Sequence, residues 1–226
     1  MIKFSNVTKI YPGETVILQD VSFEIQEGEF VSFVGKSGAG KTTLIQLILG
    51  LEHPTSGSVY VNGINLQDAT PEQIQEIRRN IGSVFQDYKL LSHKTVYENV
   101  AYIMEVEGKA DHDIAREVPK ILETIGLGDK INNFPSELSG GEQQRLSIAR
   151  ALVNHRKVII ADEPTGNLDP YNSYEVVDIL KKIHQTGKTV ILATHDRHII
   201  NKLQKRVITL EDGKIIRDEA DGQFII

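Results

Sequence analysis

In the first third of the chain, apolar residues alternate with polar ones or are β-branched at 2–7, 22–25 and 59–61. Pro12-Gly13 and Glu27-Gly28 punctuate these stretches. A period of two with such breaks predicts short strands joined by turns. Residues 30–34 (Phe-Val-Ser-Phe-Val) are mostly apolar and lead straight into Gly35. Three later runs share that character: 81–85 ends at Gln86, 158–161 at Asp162-Glu163, and 189–194 at His195. Continuous apolar runs suit parallel strands covered on both faces. In open α/β sheets, ligands gather beyond the carboxyl ends of the strands. These four strand ends therefore mark the candidate site.

The helical pattern is different in kind. Residues 42–49 are apolar on nearly every side and stop at Gly50, which predicts a buried helix with a glycine after its last turn. Roughly seventy residues separate Phe85 from Val158, whereas a simple crossover needs only about a dozen or more. That interval predicts an inserted helical subdomain, with helices at 95–102, at 111–125 up to Gly126, and at 142–153. Pro119 inside the second predicts a kink or a new helix start. The chain closes with a predicted hairpin, 207–210 and 214–216, around Asp212-Gly213.

Composition narrows the class without choosing it. The 226 residues, 40% hydrophobic, describe one large globular domain or one domain with a subdomain. A net charge of −6 leaves no cation excess to neutralise a phosphate backbone, so no nucleic-acid partner is expected. There is no cysteine, which removes disulfides and thiolate chemistry and fits a reducing cytoplasm. The first ten residues lack the basic and apolar regions of a signal peptide, and no run of about 18 apolar residues predicts a membrane span.

Gly35-Lys36-Ser37-Gly38-Ala39-Gly40-Lys41-Thr42 matches the phosphate-loop pattern. Its glycines let backbone N–H groups converge on phosphate oxygens, and the helix that follows adds its positive end. Lys41 would reach the β- and γ-phosphates and the Thr42 hydroxyl would ligate Mg²⁺. Asp162 stands where a metal-holding aspartate is needed. Glu163 directly after it suggests hydrolysis, by orienting or deprotonating a water. The same pair also reads as an acidic helix cap before Pro164. Gln86 and His195, at the ends of what read as neighbouring strands, can contact a γ-phosphate, its water or the metal; alone, each also reads as an ordinary polar terminus. Finally, 137–152 (ELSGGEQQRLSIARAL) places Ser139, Gly140 and Gly141 before a helix whose Leu146, Ala149 and Val153 share one face. That is a second anion-ready helix N-terminus, or simply a glycine-softened cap with Glu142 in its first turn.

Together these stretches resemble the ATPase subunits of ATP-binding-cassette (ABC) systems, over essentially the whole chain. Leu138-Ser139-Gly140-Gly141-Glu142, followed by Gln143-Gln144-Arg145, is similar to that family's signature and is the most specific element. Gly166-Asn167-Leu168-Asp169 resembles its D-loop, His195 its switch histidine, Gln86 its Q-loop glutamine, and Tyr11 the aromatic that stacks on adenine.

The resemblance implies an α/β P-loop NTPase fold with a mostly parallel core sheet, an N-terminal antiparallel β-subdomain and an inserted α-helical subdomain. The single domain would span 1–226, with 1–86 and 158–226 forming the core and 87–157 the helical part that carries the signature. It implies ATP and Mg²⁺ as ligands. Tyr11, residues 35–42, Thr43, Gln86, Ser139, Gly140, Gly141, Glu142 and Asp169 would hold nucleotide, and Thr42, Gln86 and Asp162 the metal. Catalysis would fall to Glu163, His195, Gln86 and Lys41. Two copies would pair head to tail around two ATP, each signature serving its partner's phosphate loop. The segment 87–100 would contact an integral membrane partner from the cytoplasmic side. Within the family, that segment is most similar to a branch acting in bacterial cell division through control of peptidoglycan hydrolases. Lipoprotein-release and export ATPases share most of the motifs and are the alternative.

Overall fold

The computed structural model describes residues 1–222. Its elements begin β1 (Ile2–Tyr11), β2 (Thr15–Ile25), β3 (Phe30–Val34), α1 (Lys41–Ile48), β4 (Ser56–Val61), β5 (Ile64–Asn65), α2 (Pro71–Arg79) and β6 (Ile81–Phe85). Then come α3 (Val96–Val106), α4 (Asp111–Thr124), α5 (Gly140–Leu152), β7 (Val158–Asp162), α6 (Pro170–Gln185), β8 (Thr189–Thr194), α7 (Arg197–Leu203), β9 (Arg206–Glu211) and β10 (Lys214–Glu219).

Two sheets form. One is four-stranded, in the order β2-β1-β4-β5, and antiparallel throughout. The other is six-stranded, in the order β10-β9-β3-β8-β7-β6, and parallel except for the β9–β10 hairpin at one edge. Every residue of β3, β7 and β8 is buried, which is why their sequences carry no alternation.

Three apolar clusters hold the layers. The first fills the space between the antiparallel sheet, α1 and one face of the large sheet. Phe4 stacks on Phe23 at 4.5 Å between centroids, and Phe23 meets Phe33 edge-on at 5.5 Å, so one aromatic column joins the two sheets. The second covers the opposite face with α6 and α7, and the third is the core of the helical region, α3 to α5. Helix α5 belongs to both: Ile148 and Ala151 face the sheet, while Leu146 and Ala149, with Val153 just past its end, face α3 and α4. Each large aliphatic side chain so buried contributes about 1.5–3 kcal/mol.

Pro119 neither ends α4 nor starts a new helix there; α4 runs unbroken through it. Ile114, Val118 and Leu122 form a buried stripe that fixes the helix against its neighbours. Ala115, whose carbonyl loses its donor to the proline, is exposed, so water can serve it.

Candidate active site

Helix α1 begins at Gly40, which sits in the left-handed region (φ 104°) and offers no capping side chain. A side chain there would be strained and would also place its Cβ 2.6 Å from a Leu18 methyl. The first N–H groups of α1 thus stay available to an anion at the positive end of the helix. Lys41, the first helical residue, is only 6% exposed. Its ammonium donates to the carbonyls of Gly35 (2.8 Å) and Lys36 (3.2 Å) and pairs with Glu163 Oε1 at 3.3 Å. A cleft of about 490 Å³ opens here, joining Tyr11, Ser37, Lys41, Gln86, Glu163 and His195, with Gly38, Gly40, Thr42 and Thr43 also on its wall. Gly35, Lys36 and Ala39 do not line it. Lys36 and Ala39 border a smaller hollow against Leu210, Glu211 and Asp212, and Gly35 acts through the carbonyl that holds Lys41.

The end of β7 supplies the carboxylates. Asp162 is 9% exposed and accepts a hydrogen bond from the Thr42 hydroxyl at 3.3 Å. Burial pushes its carboxyl above the usual aspartate range, against the Thr42 hydrogen bond, which pulls it down. Among the described residues no three acidic or histidine side chains form a metal cage. The Thr42–Asp162 pair is an all-oxygen donor set suited to Mg²⁺, which takes one or two carboxylates and completes its shell with water and phosphate oxygens.

Glu163 adopts φ 48°, a left-handed conformation unusual for a residue with a side chain. Two backbone hydrogen bonds hold it there: its N–H donates to Ala193 (2.9 Å) and its carbonyl accepts from Gly166 (3.1 Å). The twist turns its carboxylate between Lys41 and His195 Nδ1, which lies 2.9 Å from Oε2. Asp162-Glu163 is therefore not a helix cap; the chain turns, and the next helix starts eight residues on, at Pro170.

One sequence expectation needs correction. Gln86 and His195 do not end neighbouring strands: β6 and β8 flank β7, so the two side chains bracket Glu163. Gln86 is also engaged, since its amide donates to Asn167 Oδ1 (3.1 Å) while Asn167 donates back to the Gln86 carbonyl (3.1 Å). Asn167 is a site residue that sequence reasoning passed over; its only signal was membership of the Gly-Asn-Leu-Asp phrase.

Ser139, Gly140, Gly141, Glu142 and Asp169 are not brought to this cleft within one chain. Ser139 caps α5, and Glu142 completes the reciprocal box: it accepts from Ser139 N and Oγ (both 2.8 Å), and its own N–H donates to Ser139 Oγ (3.3 Å). The backbone N–H of Ser139 holds the Glu142 carboxyl below its ordinary range. Asp169 caps α6 through the N–H groups of Tyr171 (2.9 Å) and Asn172 (3.1 Å) and also accepts from the Asn172 side chain. Asn172 in turn fills the space over Gly141, where a Cβ would lie 2.0 Å from its Oδ1. Only glycine allows that approach.

A phosphate loop, a carboxylate pair at a strand end and a separate capped Ser-Gly-Gly helix define a P-loop ATPase of the cassette class. Residues 18–166 match the family described as ABC transporter, and the chain belongs to this family of ATP-binding-cassette ATPases. It hydrolyses ATP to ADP and phosphate. Over 224 residues it is 49% identical to the cell division ATP-binding protein FtsE of Streptococcus pneumoniae, covering 99% of this chain and 97% of that one. It is 48% identical to FtsE of Mycobacterium tuberculosis over 225 residues, covering 99% and 98%. Among solved structures it is similar to the dimeric, ADP- and phosphate-bound post-hydrolysis state of the ATP-binding cassette MJ0796 (38% identity, TM-score 0.87, 99% and 100% covered).

Proposed function

We propose that two copies of this chain pair head to tail around two ATP and use the cycle of pairing and hydrolysis to drive an integral membrane partner. The observation that carries this reading is the separation just described. Phosphate loop and signature are each fully built, yet do not meet in one chain. An isologous pair brings each to the other's copy and generates two equivalent sites. The dimeric MJ0796 cassette supports this arrangement.

Each residue then has a task. Ser37 to Thr43 and the start of α1 bind the phosphates, Lys41 leaving the Gly35 and Lys36 carbonyls for the γ-phosphate. Tyr11 stacks on the base. Thr42 and Asp162, with Gln86, would hold Mg²⁺, which would supply positive charge against the phosphates. Glu163 accepts a proton from the attacking water, and His195 holds the Glu163 carboxylate and the γ-phosphate side of the cleft in place. Ser139, Gly140 and Gly141 of the partner copy, with Glu142 and Asp169 beside them, close the site. Loss of the γ-phosphate removes the link and the pair opens.

The partner contact is placed at 87–100. A hollow between β6 and α5 is lined there by Phe85, Tyr88, Lys89, Ile103 and Arg150. Tyr88 and Lys89 both take left-handed backbone (φ 56° and 51°), and Arg150 donates to the Lys89 carbonyl. No described helix is long and apolar enough to cross a membrane. In this reading the chain sits on the cytoplasmic face through its partner. The FtsE relatives favour an FtsX-like partner in bacterial cell division, governing peptidoglycan hydrolases. The Gly166-Asn167-Leu168-Asp169 phrase is shared with lipoprotein-release (LolD-like) and MacB-like export ATPases, which are the second reading. Photo-crosslinking from position 88 in native membranes with ATP, followed by mass spectrometry, separates them. Capture of an FtsX-like protein is expected; capture of a release or export permease selects the second reading, and capture of soluble proteins alone overturns the membrane role.

A further inference from the structure

Lys9 is a buried lysine that the mechanism above does not use. It lies two residues before Tyr11 on β1, so the two side chains leave the same face of the strand. Its ammonium stands over the Tyr11 ring, 4.8 Å from the centroid. Glu52 Oε2 at 2.7 Å and the His53 carbonyl at 2.8 Å hold it there. The loop carrying those acceptors is itself laced to β1, with Thr55 N donating to the Thr8 carbonyl (2.8 Å) and Ile10 N to Thr55 Oγ1 (2.9 Å). At its far end the Tyr11 hydroxyl donates to Gln46 Oε1 of α1 at 3.2 Å. Tyr11 is thus gripped at its hydroxyl and over its ring, and both grips lead to the helix that opens with the phosphate loop and to the loop behind it.

We propose that Lys9 is a positioning residue for nucleotide recognition: its ammonium fixes and polarises the Tyr11 ring, so that the ring stacks on a purine base while the phosphate loop holds the triphosphate. The inference rests on Tyr11 being the base platform. A cation over an aromatic ring is attracted by the ring quadrupole, and it draws π density away from any group stacked on the same ring. An electron-rich purine gains from that polarisation and from a ring whose plane is already set. Glu52 gives the arrangement its selectivity of purpose. By holding the ammonium in the loop after α1, it keeps Lys9 from serving as another phosphate ligand. The charge of Lys9 therefore reaches the base and not the triphosphate.

The test compares a ligand that has a base with one that lacks it. Calorimetric binding of MgATP and of magnesium tripolyphosphate is measured on the full chain and on K9M, K9R, E52Q and Y11A. K9M is expected to weaken MgATP about fivefold and to leave tripolyphosphate within about twofold of the parent, with K9R recovering most of the loss. E52Q is expected to shift the same ratio in the same direction by less, and decides the matter if K9M does not fold. Equal weakening of both ligands by K9M, or no change in either, overturns the proposal. Y11A then locates the failure. If it lowers the ATP-to-tripolyphosphate ratio while K9M does not, the platform stands and only Lys9 is misassigned. If Y11A leaves the ratio unchanged, the platform reading fails as well.

Discussion

The two helices that begin in glycine-rich sequence, α1 and α5, are finished in opposite ways. At α1 the cap is a left-handed glycine without a side chain, so the helix end is left to whatever anion arrives. The nearby cation is already committed, with Lys41 folded onto the carbonyls of its own loop and onto Glu163. At α5 the cap is a serine, and Glu142 occupies the helix end as an internal anion. A γ-phosphate approaching α5 must share or displace that carboxylate, whereas one approaching α1 meets uncapped amides and must draw Lys41 from Glu163. The first helix is built to bind from the outset. The second is capped by its own side chains and so is stable alone, which suits the role proposed for it, to meet nucleotide only when two copies come together.

Breaking the shared chemistry should have the largest effect. Glu163→Gln removes the proton acceptor and keeps the shape; ATP turnover is expected to fall about 1,000-fold, and the chain to accumulate as an ATP-bound dimer in size-exclusion chromatography. A variant dimerising only weakly yet turning over ATP normally would remove Glu163 from its role. Next comes a change confined to the α5 side. Gly141→Ala sets a methyl against Asn172 Oδ1, so it should displace the signature and lower turnover about 10- to 100-fold, with MgATP affinity of the monomer unchanged. Adding Asn172→Ala should restore part of the activity, because the clash is then relieved.

The smallest effect tests the internal cap itself. Glu142→Ala is expected to destabilise the chain by about 0.5–1 kcal/mol near neutral pH, read as a lower melting temperature. Because the Glu142 carboxyl is held below its ordinary value of 4.5, its contribution is present above that pH and is lost as the pH falls through the folded-state value. The melting temperatures of the two chains should therefore converge in acid. A constant gap at all pH values would mean that the carboxylate does not cap α5.

What could be read from the sequence follows a physical line. Strands β3 and β8 match their apolar runs to the residue, because burial on both faces writes a continuous signal; β6 matches as well, although it is an edge strand with Ser83 and Phe85 half-buried. Strand β1 extends beyond its alternating start to Tyr11, since irregular pairing with β2 breaks the period of two between Phe4 and Ile10. The sequence reading has no element at α6, although Val176, Val177, Leu180 and Ile183 are buried on it. Its cap, Asp169, enters the sequence reading only as a nucleotide contact. Most cleft residues were legible because they stand at the end of an apolar run or in the phosphate loop, whereas Tyr11 was named only through the family resemblance. The links between them were not. Gln86 with Asn167, Gly141 with Asn172, and Lys9 with Glu52 join segments far apart in the chain, and no local period encodes such a pairing.

Helix α5 sits in two apolar clusters at once, and beyond Gly140 none of its residues is fully exposed. In terms of mutational tolerance, it has no idle surface on which changes could accumulate without cost. Helix α4, with Asp111, His112, Ala115, Arg116, Lys120, Glu123 and Thr124 all exposed, has a free side along its whole length. Variation between functional versions of this chain should therefore gather on α4, while α5 holds its sequence almost whole.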